Sequence, residues 1–360
     1  MANDDRAIVI GVQSYPGFDR PNDPSRRPLV SPDVDAHAFC GWLIDANGGG
    51  LQPDKVKLIV TSNWPLPFAT VRDARPTEEL VREAFEDLQD EAETAPRGRL
   101  GRRLYIYMAG HGIAPGENQT ALLMANANYD QRRYGTGYHV IGEYVAGWVA
   151  DAHYFDEILL FMDCCREIQA VPAPNMPWGP LRDPSAPETV KRFYAFAARF
   201  QRVSWEAPAA DGQTHGVFSQ ALLTGLRGAA RDQASNDITT ESLWNYLYAN
   251  MKSFLPAELQ DAPNIPKTPD RGRADNFVIV KAPPVPTYPV TIHLPANLAG
   301  KKVMLAVWVK GALQELDSTV AAGPAWPLSL PVGGYRVSIP DDNLKQLFEV
   351  TGAGGTDVQF

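Results

Sequence analysis

Three side chains with nucleophilic or acid–base chemistry stand at the ends of two short apolar runs. His111 follows the run Leu104-Tyr-Ile-Tyr-Met-Ala109, with a glycine on each side, and Cys164 and Cys165 follow the run Ile158-Leu-Leu-Phe-Met162. A thiol and an imidazole that meet in a fold form a nucleophile and its general base. The two stretches therefore point to covalent chemistry by a cysteine, provided that the fold brings their ends together.

Both runs have the character of buried strands. They are short, apolar and bounded by charged or turn residues, which is typical of strands covered on both faces of a parallel sheet. Parallel neighbours end at the same edge, where α/β sheets carry their sites. Gly110 and Gly112 allow the backbone to turn sharply at His111 and to approach a substrate. A lone histidine in a turn needs no function, but the second run with its cysteines favours a catalytic role.

The surrounding elements predict an α/β domain. The order up to the histidine is β-α-β-α-β, which predicts right-handed crossovers and a mostly parallel sheet. Predicted strands lie at 6–13, 55–60, 104–109, 158–163, 193–197 and 276–280, and predicted helices at about 33–44, after Pro76, and at 140–152, 215–227 and 239–254.

The last part of the chain has a different pattern. Residues 281–289 are rich in proline and predict a linker. Short strands follow at 290–294, 302–309, 326–330 and 335–339 with turn residues between them, a pattern typical of a small all-β sandwich. We therefore predict an α/β domain over residues 1–280 and a β-sandwich domain over 290–360.

Composition and charge exclude several classes of protein. A hydrophobic content of 44% is that of an ordinary globular protein, and a net charge of -9 disfavours nucleic acid and anionic membrane as partners. No apolar run is long enough to span a membrane, and the first residues do not form a secretory signal. Three cysteines, two of them adjacent, do not make a disulfide scaffold. We expect a cytoplasmic, reducing setting that keeps a catalytic thiol active.

The two stretches resemble the caspase and metacaspase superfamily of cysteine peptidases. Gly110-His111-Gly112 and Asp163-Cys164-Cys165 are similar to that family's motifs, and the Asp-Cys-Cys form is closer to metacaspases than to the caspase Gln-Ala-Cys form. The first strand, the start of the first helix at Asp33 and the stretch 205–223 follow in the family's order, so the resemblance covers about residues 5–255. It implies a caspase-like α/β/α sandwich with a mostly parallel central sheet.

The resemblance also implies a role for each motif residue. Cys165 is the nucleophile and His111 its base, while Cys164 faces the opposite way by strand alternation. The backbone N–H groups of Gly112 and Cys165 are the expected oxyanion donors. The family needs no third member beside this dyad. No histidine has metal-ligand spacing with a cysteine, so we expect no metal and no cofactor, with calcium dependence left open.

Substrate specificity is less well determined by the sequence. Metacaspases select Arg or Lys with an acidic pocket, and Asp163, Glu167 and Glu206 can supply negative charge here. Phe200 falls near the family's usual acidic position, which disagrees with a simple basic specificity. Trp205 is a candidate pocket wall. The alternatives are an ordinary ion pair for Glu206 and a core position for Trp205.

These observations predict a cysteine endopeptidase that uses a Cys-His dyad on a protein partner. The resemblance further implies cleavage after a basic residue, a bacterial stress or defence pathway and a regulatory protein partner. The alternatives are a catalytically silent caspase-like scaffold or binding protein, and a hydrolase of a non-peptide acyl group. The proline-rich stretch 171–187 is either a plain surface loop or a site of activating cleavage, with Arg182, Lys191 and Arg192 as candidate cut sites.

Overall fold

The computed structural model of the chain describes residues 4–23, 26–128, 138–167, 190–209, 211–232, 234–261, 267–309 and 312–360. The α-helices in these segments are α1 (Pro32–Ile44), α2 (Glu78–Thr94), α3 (Gly142–Asp151), α4 (Val217–Thr224) and α5 (Thr240–Asn250). The strands before the predicted linker are β1 (Arg6–Gly11), β2 (Val56–Val60), β3 (Arg103–Ala109), β4 (Gly112–Ile113), β5 (Ala121–Leu123), β6 (His139–Ile141), β7 (Glu157–Asp163), β8 (Lys191–Phe196), β9 (Glu206–Pro208), β10 (Thr214–Gly216), β11 (Ile238–Thr239), β12 (Asp270–Ala274) and β13 (Val278–Val280). The later strands are β14 (Tyr288–His293), β15 (Lys302–Val309), β16 (Ala312–Val320), β17 (Ala325–Leu330), β18 (Gly333–Ile339), β19 (Leu344–Val350) and β20 (Thr356–Gln359).

A mostly parallel sheet forms the centre of the α/β part of the chain. Within the described residues its strand order is β12-β8-β7-β3-β1-β2, and β12 at one edge is the antiparallel strand. The two strands predicted to carry the reactive residues, β3 and β7, are neighbours, paired in register from Arg103 with Glu157 to Ala109 with Asp163. Both therefore end at the same edge of the sheet, as the sequence predicts.

Helices cover both faces of this sheet because alternate residues of the strands are apolar on both sides. On β3, Ile106 and Met108 belong to a core shared with α2 and α3, whereas Tyr105 and Tyr107 belong to a second core shared with α1, α4 and α5. Alternation of this kind is the geometry of a strand buried on both faces. The result is a three-layer α/β/α arrangement, which confirms the predicted fold class.

A buried arginine fixes the starting end of β3. The Arg103 side chain has no solvent exposure and donates to Glu157 at 2.8 and 2.6 Å, to the Tyr105 hydroxyl at 2.8 Å and to the Ile279 carbonyl at 2.9 Å. These bonds join β3, β7 and β13. Because the guanidinium is fully paired, the cost of burying its charge is offset.

Several short elements differ from the sequence prediction. The predicted helix at 215–227 is shorter, since residues 214–216 form β10 in a hairpin with β9 and α4 begins only at Val217. The helix predicted at 140–152 likewise begins at Gly142, because residues 139–141 pair with β5. The edge strand β12 was not predicted, since its sequence is Asp-Arg-Gly-Arg-Ala and carries no apolar alternation.

The C-terminal strands form two sheets around a separate core. One sheet has the order β17-β14-β20 and the other β16-β15-β18-β19. Their shared core includes Val290, Ile292, Leu305 and Val337, which are all nearly inaccessible to solvent. This part contacts the α/β part through the Tyr246 hydroxyl, which donates to the Thr351 carbonyl at 2.9 Å. A division at 281–289 remains our proposal for the domain boundary.

Two further sequence predictions concern the candidate cut sites and membrane-spanning segments. Of the candidate cut sites, Arg182 lies outside the described residues. Lys191 and Arg192 lie in β8, where they pair with Glu157 and Ile158 of β7, and a central strand is a poor protease substrate. Among the described residues, no helix has the length and apolar character needed to cross a membrane.

Candidate active site

His111 is held at the end of β3 by an aromatic environment. Gly110 has a φ of +153°, and the Tyr15 hydroxyl occupies the space that a Cβ at this position would need. The His111 N–H donates to that hydroxyl at 2.9 Å, and the Tyr15 and Phe18 rings each lie 5.0 Å from the imidazole, measured between ring centroids. The imidazole is therefore packed on two sides and has little freedom to rotate.

The two adjacent cysteines face opposite ways, as strand alternation predicts. Cys164 is buried in the core beneath α3, whereas Cys165 is partly exposed. A Cβ at Gly112 would lie 2.7 Å from the Cys164 Sγ and 2.6 Å from the Cys165 carbonyl oxygen. Residue 112 must therefore be glycine for the segment after His111 to pack against the segment after Asp163.

The ladder beside Gly112 leaves its N–H group directed away from the neighbouring strand. The Leu123 N–H donates to the His111 carbonyl at 2.8 Å, so Gly112 and Leu122 form a non-hydrogen-bonded pair of the β4–β5 ladder. In such a pair the N–H groups point outward from the two strands. This orientation is compatible with the predicted role of the Gly112 N–H as an oxyanion donor.

His111 and Cys165 line one cavity at the carboxyl edge of the sheet. The cavity has a volume of about 260 Å³. Its walls come from the segment after β1, the ends of β3 and β7, and the segment that leads into the β9–β10 hairpin. The lining residues are Arg27, Leu29, Ser31, Pro32, Ala109, Gly110, His111, Asp163, Cys165, Glu167, Val203, Ser204, Trp205, Glu206 and Gly216.

Asp163 is a buried carboxylate in the lining of this cavity. One carboxylate oxygen accepts from the Ser204 hydroxyl at 2.7 Å, and the other accepts from the Ser219 N–H at 3.1 Å and the Ser219 hydroxyl at 2.7 Å. Burial, together with the nearby Asp35 carboxylate, raises the pKa of Asp163 to about 6 in spite of these bonds. Asp163 is therefore mostly ionised at neutral pH, but its charge is poorly compensated.

The thiol of Cys165 is protonated at neutral pH in this geometry. Burial raises the pKa of Cys165 to about 12, and the Ser204 N–H, which donates to the sulfur at 3.3 Å, offsets only part of that effect. The thiolate is the stronger nucleophile. A base would therefore be needed for this sulfur to act as a nucleophile, and the imidazole of His111 lines the same cavity.

The predicted pocket residues are not all at the cavity. Asp163, Glu167, Trp205 and Glu206 line it. Phe200 does not: it lies in the turn after β8, and the chain reaches the cavity wall only at Val203 after passing through Gln201, whose φ is +67°. In the sequence, Phe200 argued against specificity for a basic residue. Because Phe200 does not line the cavity, that argument does not apply to the cavity.

Glu206 and Trp205 also have structural contacts. Glu206 accepts from the Val30 N–H at 3.0 Å and the Ser31 N–H at 2.8 Å, which fixes the segment before α1 against β9. Trp205 packs against the core with α1 and α4, and the Arg27 guanidinium lies 5.9 Å from its ring centroid. The wall of the cavity is thus held by a carboxylate and an aromatic side chain that also face the cavity.

An ion pair that adjoins the cavity-lining Gly216 was not predicted. The His215 Nδ1 lies 2.5 Å from Asp35 and its Nε2 3.0 Å from Asp211, while the Asp35 carboxylate also accepts from the Gly216 N–H at 2.8 Å. Its hydrogen bond to Asp35 is the main cause that raises the pKa of His215 to about 9, so His215 is protonated at neutral pH. The sequence gives little indication of this pair, because Asp35 and His215 are 180 residues apart.

The described residues offer no obvious metal site. They include no group of three His, Cys, Asp or Glu side chains placed to hold an ion. Cys40, Cys164 and Cys165 are free cysteines.

The fold and the site define a caspase-like cysteine peptidase architecture. The family model of the caspase domain (Peptidase_C14) matches residues 4–243, so the chain belongs to the caspase-domain family, whose members are cysteine-type peptidases acting on protein substrates. Among solved structures, caspase-1 from Spodoptera frugiperda is similar, with 14% identity and a TM-score of 0.48 over 78% of this chain and 91% of that chain. No curated protein matches the chain significantly.

Proposed function

We propose that the chain is a cysteine endopeptidase in which Cys165 is the nucleophile and His111 the general acid–base. The observation that carries this proposal is that both side chains line one cavity at the ends of adjacent parallel strands. The orientation of the Gly112 N–H supports an oxyanion hole beside them. The alternative nucleophile, Cys164, is buried in the core and does not line the cavity.

The reaction follows from these positions. The Cys165 sulfur attacks the peptide carbonyl carbon while His111 takes the thiol proton, and the carbonyl electron pair moves to the oxygen, which the Gly112 and Cys165 N–H groups stabilise. The C–N bond then breaks and His111 delivers the proton to the leaving amine. A water molecule, deprotonated by His111, hydrolyses the thioester and restores the thiol.

We further propose that the cavity accepts an arginine or lysine side chain. Three carboxylates line it, from Asp163, Glu167 and Glu206, against the single guanidinium of Arg27 in the lining. Asp163 is the best placed of the three, because it is buried and its raised pKa reports an incompletely compensated charge. A guanidinium or ammonium group from a substrate supplies that compensation.

A peptide panel tests this proposal. Fluorogenic peptides ending in arginine, lysine or aspartate are incubated with the protein and with the variants Cys165→Ala and Cys164→Ala. Cleavage of the arginine and lysine peptides is expected, with loss in Cys165→Ala and retention in the matched control Cys164→Ala. Equal activity in Cys165→Ala and the wild type would refute the assignment of the nucleophile, and preferred cleavage of the aspartate peptide would refute the specificity.

A catalytically silent scaffold is the second candidate function. It is favoured by the state of Cys165, since burial raises the pKa of this thiol to about 12 and a protonated thiol is weakly nucleophilic without a base. A thiol-directed acyl probe carrying arginine separates the two functions. Labelling of Cys165 supports the peptidase, whereas absence of both labelling and cleavage supports the scaffold.

The biological setting is the least constrained part of the proposal. The family membership implies a protein substrate. A bacterial stress or defence pathway with a regulatory partner is supported by the sequence resemblance alone, and the β-sandwich is our candidate for the part that binds that partner.

A further inference from the structure

The loop after β1 brings a carboxylate to the imidazole of His111. In the turn from Tyr15 to Asp19, the Tyr15 carbonyl accepts from the Phe18 N–H at 2.9 Å and the Asp19 N–H at 2.8 Å. The Asp19 Oδ2 accepts in return from the Tyr15 N–H at 3.0 Å. Two of these bonds therefore join Tyr15 and Asp19 to each other, in the same turn whose aromatic rings pack against His111.

The remaining oxygen of Asp19 faces the ring of His111. The Asp19 Oδ1 lies 3.3 Å from the His111 Nε2, and the side chains are 18% and 6% exposed. Both atoms are buried, and neither makes a hydrogen bond elsewhere in the described part of the chain. Two unpaired buried atoms of the described chain therefore face each other, and leaving both unpaired carries a free-energy cost.

The pair is close but not yet aligned as a hydrogen bond, since both atoms are unsatisfied at 3.3 Å. Catalytic hydrogen bonds are often long or poorly aligned before a substrate binds, and they tighten in the reacting complex. The Tyr15 and Phe18 rings pack against the imidazole and limit it to small rotations. The geometry therefore favours closure onto Asp19 rather than movement away from it.

We propose that Asp19 is the positioning residue of the active site and makes a Cys165–His111–Asp19 triad. This inference rests on the proposed function of His111 and extends the dyad that the sequence implies. A carboxylate accepts but does not donate, so Nε2 must carry the ring proton. Nδ1 is then the unprotonated nitrogen that takes the proton from the thiol, and the negative charge stabilises the imidazolium that forms.

The variant Asp19→Asn gives the sharpest test. The amide has a single oxygen, and the Tyr15 N–H requires an acceptor, so the NH₂ group of the asparagine turns toward the His111 Nε2. Nε2 then has to accept, and the proton moves to Nδ1, where it blocks the base. Asp19→Ala removes both oxygens and leaves the ring without a preferred tautomer. The asparagine variant is therefore expected to be at least as impaired as the alanine variant.

Two measurements decide the proposal. Nitrogen NMR of protein labelled at histidine reports the tautomer: an Nε2-protonated His111 is expected in the wild type, and an Nδ1-protonated ring in Asp19→Asn. With an arginine peptide, kcat is expected to fall about 10- to 100-fold in Asp19→Asn. Loss of the hydrogen bonds that orient metal-ligating histidines has effects of this size in other proteins. KM is expected to stay within about threefold, because Asp19 does not line the cavity.

The control is Asp23→Asn, which removes one negative charge from the same loop, at a carboxylate paired with Arg26. The kcat and the His111 tautomer of this variant are expected to match the wild type. An unbiased or Nδ1-protonated His111 in the wild type would overturn the role of Asp19, as would a kcat of Asp19→Asn within twofold of the wild type. If the wild type cleaves no peptide, the proposed function fails, but the NMR measurement needs no turnover and still decides whether Asp19 sets the tautomer.

Discussion

Asp163 carries a stability cost that its proposed role explains, and the variant Asp163→Asn measures it. The carboxylate is buried, and its pKa rises from the ordinary value of 3.8 to about 6 because burial and the Asp35 charge disfavour ionisation. At about 1.4 kcal/mol for each pKa unit, this difference corresponds to about 3 kcal/mol of free energy of unfolding. The Asn side chain has nearly the same shape and cannot ionise.

The direction of the pH dependence follows from the raised pKa. The folded protein binds the Asp163 proton more tightly than the unfolded chain does, so this contribution to stability is complete below about pH 4 and is lost as the pH rises through about 6. Between pH 5 and pH 8 the wild type is expected to lose about 1.4 kcal/mol from this group, because pH 5 lies one unit below its pKa. Asp163→Asn lacks that loss.

Urea unfolding of both proteins at pH 5 and pH 8 is the assay. The free energy of unfolding of Asp163→Asn, relative to the wild type, is expected to rise by about 1.4 kcal/mol between the two pH values. Comparing two pH values removes the constant cost of placing an amide NH₂ group near the hydroxyls of Ser204 and Ser219. The exposed carboxylate of Asp54 provides the control, since Asp54→Asn should show no such rise.

Activity is expected to change in the opposite direction. If Asp163 compensates a basic substrate side chain, Asp163→Asn loses cleavage of arginine and lysine peptides while its stability relative to the wild type rises between pH 5 and pH 8. A relative stability that is unchanged or falls between pH 5 and pH 8 would refute the assigned burial cost. Full activity of Asp163→Asn on the arginine peptide would refute its part in specificity.

Two further substitutions test the packing that positions the site. Gly112→Ala places a Cβ 2.6 Å from the Cys165 carbonyl oxygen, so we expect a loss of about 1–3 kcal/mol in the free energy of unfolding. Displacement of the proposed nucleophile is expected to lower kcat about 100-fold. Urea unfolding and peptide cleavage measure the two effects, and wild-type values for Gly112→Ala would contradict the close packing. Glu157→Ala leaves the Arg103 guanidinium buried without its carboxylate, so the free energy of unfolding is expected to fall by about 3–5 kcal/mol; a change below about 1 kcal/mol would show that the remaining hydroxyl and carbonyl partners suffice.

The parallel sheet and the meeting of its two reactive ends could be predicted because they depend on local pattern. The runs before His111 and Cys164 are too apolar to face water on either side, which predicts central strands of a parallel sheet, and the structure pairs them as neighbours. Strand alternation also assigned Cys164 and Cys165 to opposite faces, which the buried Cys164 and the cavity-lining Cys165 show. The weakly apolar elements β9, β10 and β12 were missed or read as helix because they contain little of that pattern.

By itself, the sequence predicted the fold class and identified the two candidate catalytic stretches and the acidic candidates near them. The tertiary structure alone decided which polar groups meet, since each pairing joins residues that are far apart in the chain: Asp163 with Ser219, His111 with Asp19, and Asp35 with His215. The physical reason is that hydrophobic periodicity sets which face a residue occupies, whereas a hydrogen bond depends on positions accurate to a fraction of an ångström. Those positions are set by the turns at Tyr15 and Gln201 and by the start of α4, which no periodicity in the sequence specifies.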